Sequence, residues 1–377
     1  MSVKEVKINE LKIEELDVSG YADYAGHEKV LHCTDEASGL NAIIAIHNTN
    51  LGPAAGGCRM RQYASFEDAV TDVLRLSRGM TYKSAIAGLP MGGGKSVIIG
   101  DPATDKSEAL LLAMGRFVDS LGGQYITAED VGMGVEDLQI MARETEHVTG
   151  YHQKAKAGQI SSGDPSPITA AGVLEGIKAA YKYKTGDSSL LGVRIAVQGV
   201  GHVGANLVRQ LVAEGADLII ADVNHQAVNA LVDELDIRSV PSETILEQEV
   251  DILAPCAMGG VINENTLKQI KAGIIAGAAN NQLLKPEVGQ LLRERGILYA
   301  PDYVINAGGI IDVHFERTGY DYDQVMERIH KIGETLMHIF EQADKKNVPT
   351  QQIADEVAEG IFLKKGGPGG FGTVANF

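Results

Sequence analysis

The chain has 377 residues, 44 % of them hydrophobic, and its 50 acidic against 33 basic side chains give a formal net charge of −17. That length predicts two domains of ordinary size, and the acidity argues against nucleic acid or an anionic membrane as a partner. No run approaches the ~18 apolar residues of a membrane helix, the start MSVKEVKINE lacks a signal-peptide core, and three scattered cysteines (Cys33, Cys58, Cys256) make neither a disulfide framework nor a metal site, which fits a reducing cytoplasm.

In chain order, apolar stretches at 28–34 and 40–47 read as strands. Residues 65–80 carry apolar side chains at the helical period, with Ser65 as N-cap. A Gly-rich loop, a strand at 97–99, a helix over about 106–121 and a strand around 124–127 follow, so the first part reads as α/β with a partly parallel sheet. The polar stretch 151–164 is the expected domain boundary. Ser166-Pro167 then opens a helix to about 183. After it come strand 193–198, helix 202–214, strand 217–221, helix 224–235, strands 250–254 and 273–277, helix 286–295 and strand 297–300, the alternation of a doubly wound sheet. Helical patterns at 321–346 and 350–364 close the chain before the tail GGPGGFG, expected to be disordered or loosely docked.

Within the second part, VRIAVQGVGHVGANLVRQL holds Gly199-x-Gly201-x-x-Gly204 between a strand and a helix, and LIIAD ends in Asp222 about twenty residues on. Gly199 permits the tight turn, Gly201 the approach of a pyrophosphate and Gly204 close helix–strand packing. The helix N-terminus offers N–H groups to the phosphates. Asp222 would accept from a ribose 2′-OH and repel a 2′-phosphate, which favours NAD over NADP. The bland alternative is a structural glycine turn and a solvated aspartate.

GMTYKSAIAGLPMGGGKSVIIGDP carries Lys83 and Lys95 among apolar and glycine residues. A P-loop needs glycine at position 89, which is leucine, and a helix after the lysine, where a strand is expected, so the nucleotide-triphosphate reading fails. Solvated surface lysines are the ordinary reading. In a dry cleft, however, a lysine is pushed toward the working range of a base. Asp130, at the end of the strand QYIT, brings a carboxylate, whereas Glu129, Glu136 and Asp137 read as solvated or capping groups.

LGPAAGGCRM (51–60), GMTYKSAIAGLPMGGGK (79–95), TAEDVG (127–132), APCAMGG (254–260), AGAANNQL (276–283) and APDYVINAGG (300–309) together resemble the Glu/Leu/Phe/Val amino acid dehydrogenase family, in its order and spacing, with the leucine, valine and phenylalanine branch nearest. The resemblance implies reversible oxidative deamination of an L-amino acid to a 2-oxo acid and ammonia with NAD. It implies Lys83 on the substrate α-carboxylate, Lys95 activating the water that attacks the iminium carbon, and Asp130 relaying protons at the substrate nitrogen. Asn281 would position the carboxylate, Asn280 the nicotinamide ribose and Thr169 the carboxamide. Val200, His202, Val203, Cys256 and Ala257 would complete the cofactor site. It further implies a catalytic and oligomerisation domain over 1–150, rejoined by a C-terminal helix at about 345–377, a Rossmann-type domain over 151–344, an inter-domain cleft that closes on turnover, and at least a homodimer.

The substrate pocket implied by the resemblance comprises Ala55, Gly56, Met80, Ala128, Ile310 and Val313. Glutamate enzymes carry a lysine and a small hydroxyl residue where this chain has Ala55 and Val313, and neither can pair a γ-carboxylate, whose burial would be costly. TAEDVG with Val313 resembles the aliphatic branch, so leucine with valine and isoleucine is expected. Ala55 and LPMGGGKSVI leave phenylalanine or another aromatic substrate as the alternative. A non-catalytic NAD sensor would need degraded site residues, and Lys83, Lys95 and Asp130 are all present.

Overall fold

The structure is a computed structural model, and it describes residues 6–8, 11–151, 154–156, 159–161 and 164–364. It divides into two compact units. One holds the chain up to Asp164, Glu316–Tyr320 and the chain from Glu359; the other holds Pro165–Phe315 and Asp321–Ala358. The tail GGPGGFG lies outside the described residues.

The first unit is built on a seven-stranded mixed sheet. Its strands are β1 (Val6–Ile8), β2 (Leu11–Glu15), β3 (Lys29–Asp35), β4 (Leu40–Asn48), β5 (Ala54–Arg61), β6 (Gly92–Ile99) and β7 (Tyr125–Ala128), in the order β1-β2-β3-β4-β6-β5-β7. Strands β6, β5 and β7 are parallel, and the rest pair antiparallel. Helix α1 (Phe66–Ile86) covers one face, and α2 (Glu108–Asp119) with α3 (Val135–Met141) covers the other. Strand alternation supplies both cores at once: Ile43 and Ala45 pack with Val70, Val73 and Leu74 of α1, while Ala42, Ile44 and Ile46 pack with Leu111, Phe117 and Leu138. A short pair, β8 (Lys154–Lys156) and β9 (Gln159–Ser161), lies in the stretch expected to be the domain boundary.

Two expectations here need correction. The helix beginning after Ser65, whose side chain accepts from the Asp68 N–H, does not stop at 80 but runs to Ile86 and takes MTYK into its last turns. Gly79 does not end it, and it stops only before Gly88, at φ +66°, and Pro90. The Gly-rich segment is no loop either, because the strand begins at Gly92. Its glycines are needed inside the sheet: a Cβ on Gly93 would lie 2.0 Å from the Thr81 amide nitrogen of α1, and one on Gly92 2.0 Å from the Asn48 carbonyl. Glycine here lets a helix backbone press against a strand.

The second unit opens with α4 (Ser166–Thr185) and continues β10 (Arg194–Gln198), α5 (His202–Ala213), β11 (Asp217–Ala221), α6 (His225–Leu235), β12 (Arg238–Ser239), β13 (Ile252–Pro255), β14 (Ile274–Ile275), α7 (Glu287–Glu294) and β15 (Leu298–Tyr299). The strands form one parallel sheet in the order β12-β11-β10-β13-β14-β15, the doubly wound order in which the connection reverses between β10 and β13. Ligands of such sheets sit beyond the carboxyl ends of those two strands. Helices α8 (Asp302–Ile305), α9 (Gly308–Thr318), α10 (Tyr322–Lys346) and α11 (Thr350–Phe362) end the described chain. Of α11, the residues through Ala358 belong to the second unit and those from Glu359 to the first.

Candidate active site

In the first unit, Lys95 and Asp130 meet. Lys95 lies in β6 two residues before Val97, so alternation turns it to the α1 face, and it is only 5 % exposed. Its Nζ donates to Oδ2 of Asp130. Asp130 stands just past the end of β7, where backbone leaves the sheet. Its Oδ1 accepts from the Val131 N–H and from Arg59, whose Nε and NH2 are 3.4 and 3.3 Å away. Burial alone would raise the Asp130 pKa, but Lys95 and Arg59 outweigh it and hold the carboxyl down at about 2. The approach depends on Gly57, where a Cβ would come within 2.5 Å of the Glu129 carbonyl oxygen and 2.9 Å of Asp130 Cβ.

The other expected residues of this unit lie on the same elements. Lys83 and Met80 occupy the last turns of α1, both half-buried, and Ala55 and Gly56 lie in β5. A Cβ on Gly56 would meet the Gly94 carbonyl oxygen at 1.8 Å and Met80 Cγ at 3.2 Å, so only glycine fits between them. The Gly56 carbonyl accepts from the buried Tyr125 hydroxyl at 2.6 Å. Ala128 is half-buried at the end of β7. Arg59 was not singled out from the sequence, although it stands in LGPAAGGCRM, and its ion pairs depend on strand β5 lying beside both α1 and the turn after β7.

In the second unit the glycine motif sits at the reversal point. Gly199, at φ +98°, ends β10, and a Cβ there would press on Ala257, which with Cys256 follows β13. A Cβ on Gly204 would lie 2.0 Å from the Gly199 carbonyl oxygen, which enforces the close packing of α5 on the strand. Gly201 has open space where its Cβ would stand and is the N-cap of α5 without a side-chain cap, leaving a cradle of backbone N–H groups that suits a pyrophosphate. Val200 is buried in this loop, with His202 exposed and Val203 half-buried in the first turn of α5. Asp222 follows β11, and its carboxylate accepts from the Val200 N–H at 2.7 Å and the Asn224 N–H at 2.8 Å, so it faces the glycine loop. Burial pushes the Cys256 thiol up to about 12, so it is protonated at neutral pH.

Also in this unit, Thr169 donates to the Pro165 carbonyl at 2.9 Å in the first turn of α4, and Gly309 packs on its hydroxyl. Asn280 and Asn281 follow β14; Asn281 holds φ +51°, and its carbonyl accepts from the Gly260 N–H at 2.7 Å. The Asn280 amide oxygen accepts from buried Asn306 at 2.7 Å, a partner inside APDYVINAGG that sequence reading passed over. Ile310 and Val313 lie half-buried on α9. Among the described residues no cluster of His, Cys, Asp or Glu is placed to hold a metal, and no helix is long and apolar enough to cross a membrane.

Comparison with known proteins bears on both units. The family model described as "Glu/Leu/Phe/Val dehydrogenase, dimerisation domain" matches residues 27–147, and that described as "Glutamate/Leucine/Phenylalanine/Valine dehydrogenase" matches 220–360. The chain belongs to this dehydrogenase family. It is 51 % identical over 344 residues to leucine dehydrogenase of Geobacillus stearothermophilus, covering 91 % of this chain and 93 % of that one. It is 48 % identical over 342 residues to valine dehydrogenase of Streptomyces virginiae, covering 90 % and 94 %. Among solved structures it is similar to L-tryptophan dehydrogenase from Nostoc punctiforme, with TM-score 0.77 and 43 % identity over 90 % of this chain and 97 % of that one. A glutamate dehydrogenase of Thermus thermophilus, 21 % identical with TM-score 0.72, shares the fold. The chain is an amino acid dehydrogenase of α/β fold, an oxidoreductase of small molecules that works with a nicotinamide cofactor.

Proposed function

We propose that this dehydrogenase oxidatively deaminates branched-chain L-amino acids, L-leucine foremost with L-valine and L-isoleucine, to 2-oxo acid, ammonia and NADH, reversibly. The observation that carries the catalytic part is the buried pairing of Lys95 with Asp130. In this reading Lys83 holds the α-carboxylate, the Lys95–Asp130 couple moves protons between the water at the substrate carbon and the substrate nitrogen, and Ala55, Gly56, Met80, Ala128, Ile310 and Val313 shape the pocket. A nicotinamide cofactor would supply the hydride acceptor. Asn280 and Thr169 would hold its ribose and carboxamide, with Asn281 on the substrate carboxylate. The glycine loop, together with Cys256 and Ala257, would take the rest of the dinucleotide.

NAD is favoured by Asp222, whose carboxylate faces the glycine loop, where a 2′-phosphate would be repelled. The names of the leucine and valine relatives, and a pocket with no cation for a side-chain carboxylate, support the branched-chain reading. Likeness to a tryptophan dehydrogenase favours a second reading, an aromatic substrate, since Ala55 leaves room there. The first unit would carry catalysis and the contacts of at least a homodimer, the second would bind NAD, and the cytoplasm is the compartment that suits three free thiols.

One panel tests the substrate: NADH formation from L-leucine, L-valine, L-isoleucine, L-phenylalanine, L-tryptophan and L-glutamate. The highest kcat/KM should fall on an aliphatic acid, and preference for phenylalanine or tryptophan would replace the first reading by the second. Asp222→Ala should weaken NAD and leave NADP equal or better; an unchanged ratio would mean that another group reads the ribose.

A further inference from the structure

The niche around Lys95 and Asp130 contains a second cation to which the roles above give no work. Arg59 spans two carboxylates: NH2 and Nε lie 3.3 and 3.4 Å from Asp130 Oδ1, and NH1 lies 3.1 and 3.4 Å from the oxygens of Asp72 on α1. Asp72 is held in turn by the Tyr63 hydroxyl, which donates to its Oδ2 at 2.7 Å. The guanidinium side chain is 18 % exposed and the Asp130 side chain 15 % exposed, so the contact is largely shielded from solvent.

The two oxygens of Asp130 therefore have different surroundings. Oδ1 takes the Arg59 fork and the Val131 N–H, while Oδ2 takes Lys95. A planar guanidinium fixes both direction and charge, which a flexible ammonium does not. We propose that Arg59, itself held by Asp72 and Tyr63, is a positioning residue that locks Asp130 through Oδ1, so that Oδ2 alone exchanges protons with Lys95 and the substrate nitrogen. This rests on the reading of Lys95 and Asp130 as the acid–base couple and adds the device that orients it. A carboxylate facing only Lys95 could rotate and could retain the proton. With a second cation on its other oxygen it is a weaker base, and a proton arriving at Oδ2 is passed on.

Further titratable or charged groups close to this niche are the Cys58 thiol of β5, Tyr125 of β7, Arg61, which acts on Tyr63, and Asp137 of α3, which is paired with Lys106 at 2.6 Å. Burial pushes the Cys58 thiol up to about 12 and the Tyr125 phenol well above its ordinary value, so both stay neutral across the working pH range, and Asp137 is already engaged. After Lys95, Arg59 is thus the group whose removal should shift the Asp130 titration.

The test is a pH profile of kcat and kcat/KM for the full-length enzyme with NAD and the amino acid best used in the panel. Wild type is compared with Lys95→Ala, Arg59→Met, Arg59→Lys and Tyr63→Phe. NADH binding by fluorescence reports whether the cofactor unit is intact. Arg59→Met should lose about tenfold or more in kcat, with NADH binding unchanged and the acid limb of kcat/KM moved up by about one pH unit. Arg59→Lys should restore the limb but only part of kcat, because it returns the charge without the fork. Tyr63→Phe, which removes one hydroxyl and should fold even where Arg59→Met does not, should shift the limb the same way by less. A wild-type limb and kcat within about twofold in Arg59→Met or, should that variant not fold, a wild-type limb in Tyr63→Phe, alongside an inactive Lys95→Ala, would overturn the role of Arg59 alone. Lys95→Ala retaining kcat within about fivefold would overturn the reading of the couple, and this proposal with it.

Discussion

At Asp130 and His47 the same physical quantity, the cost of burying charge, produces opposite outcomes. Asp130 stays ionised because two cations overcome the burial term. A carboxyl whose folded pKa is depressed stabilises the fold fully above its unfolded value near 3.8, and that stability is lost as pH falls through about 2. His47 lacks such a partner. Burial first, and the neighbouring His27 second, lower its pKa from 6.5 to about 4, while its ring nitrogens bond Thr81 Oγ1 at 2.8 Å and the Ala25 carbonyl at 3.2 Å. Its folded pKa is also depressed, so the neutral ring stabilises the fold above about pH 6.5, and that contribution is lost as pH falls from 6.5 through 4. Denaturant titrations should therefore show wild type losing on the order of 2–3 kcal/mol across the upper window from this residue. His47→Gln should flatten that slope between pH 6.5 and 4, whereas Asp130→Asn should change the slope only between about 4 and 2. Equal slopes in His47→Gln and wild type would show that His47 is not the buried neutral base.

Among the elements, the junction of α1 with β6 places Lys95 and Lys83, the two lysines of the proposed site. Thr81 presses its backbone on Gly93, and Lys95 follows two residues later on the same face of the strand. Gly93→Ala would force a methyl to within 2.0 Å of the Thr81 nitrogen, a backbone atom that cannot rotate away. Overpacking of this kind costs about 1–3 kcal/mol, toward the upper end where backbone must move. Separation of α1 from β6 should also displace Met80 and Lys83, so kcat/KM should fall by more than tenfold while NADH affinity, assigned by proposal to the second unit, is retained. A Gly93→Ala enzyme with wild-type kinetics would show that the close approach is not required. Runs of three glycines before a lysine invite a phosphate-loop reading, and here the same residues serve helix–strand contact.

On the scale of the molecule, the first unit is assembled from distant parts of the chain. Phe362 is 3 % exposed and packs edge-on against Tyr82, with ring centroids 5.2 Å apart, and against His47 at 6.2 Å. Its carbonyl accepts from Asn50 at 2.9 Å, and Glu359 accepts from the Tyr82 hydroxyl at 2.6 Å. Tyr82 is the neighbour of Lys83, so the last turn of α11 buttresses the helix that carries the lysine proposed for the substrate carboxylate. Phe362→Ala should cost about 3–5 kcal/mol and lower the unfolding midpoint, and it should raise KM for the amino acid more than for NAD. An unchanged midpoint would mean that α11 contributes nothing to this packing.

Much of this was legible in the residues because it is local. Ser65 caps α1 as expected, and strand 217–221 ends before Asp222, both signals carried within a few positions. The motif order identified the family, since a ligand-facing backbone tolerates few residue types. Strand β5, helices α3, α8 and α9, and the continuation of α1 to Ile86 were not legible. Strand β5 is rich in glycine and alanine, which have low strand propensity, and it is a strand because β6 and β7 pair with it on both sides. The partners of Asp130 are likewise non-local: Arg59 lies 71 residues away and Lys95 lies 35. The family motifs name the residues proposed to carry the chemistry; whether Lys95 faces Asp130 and Arg59 holds its other oxygen depends on sheet order and register, which only long-range packing decides.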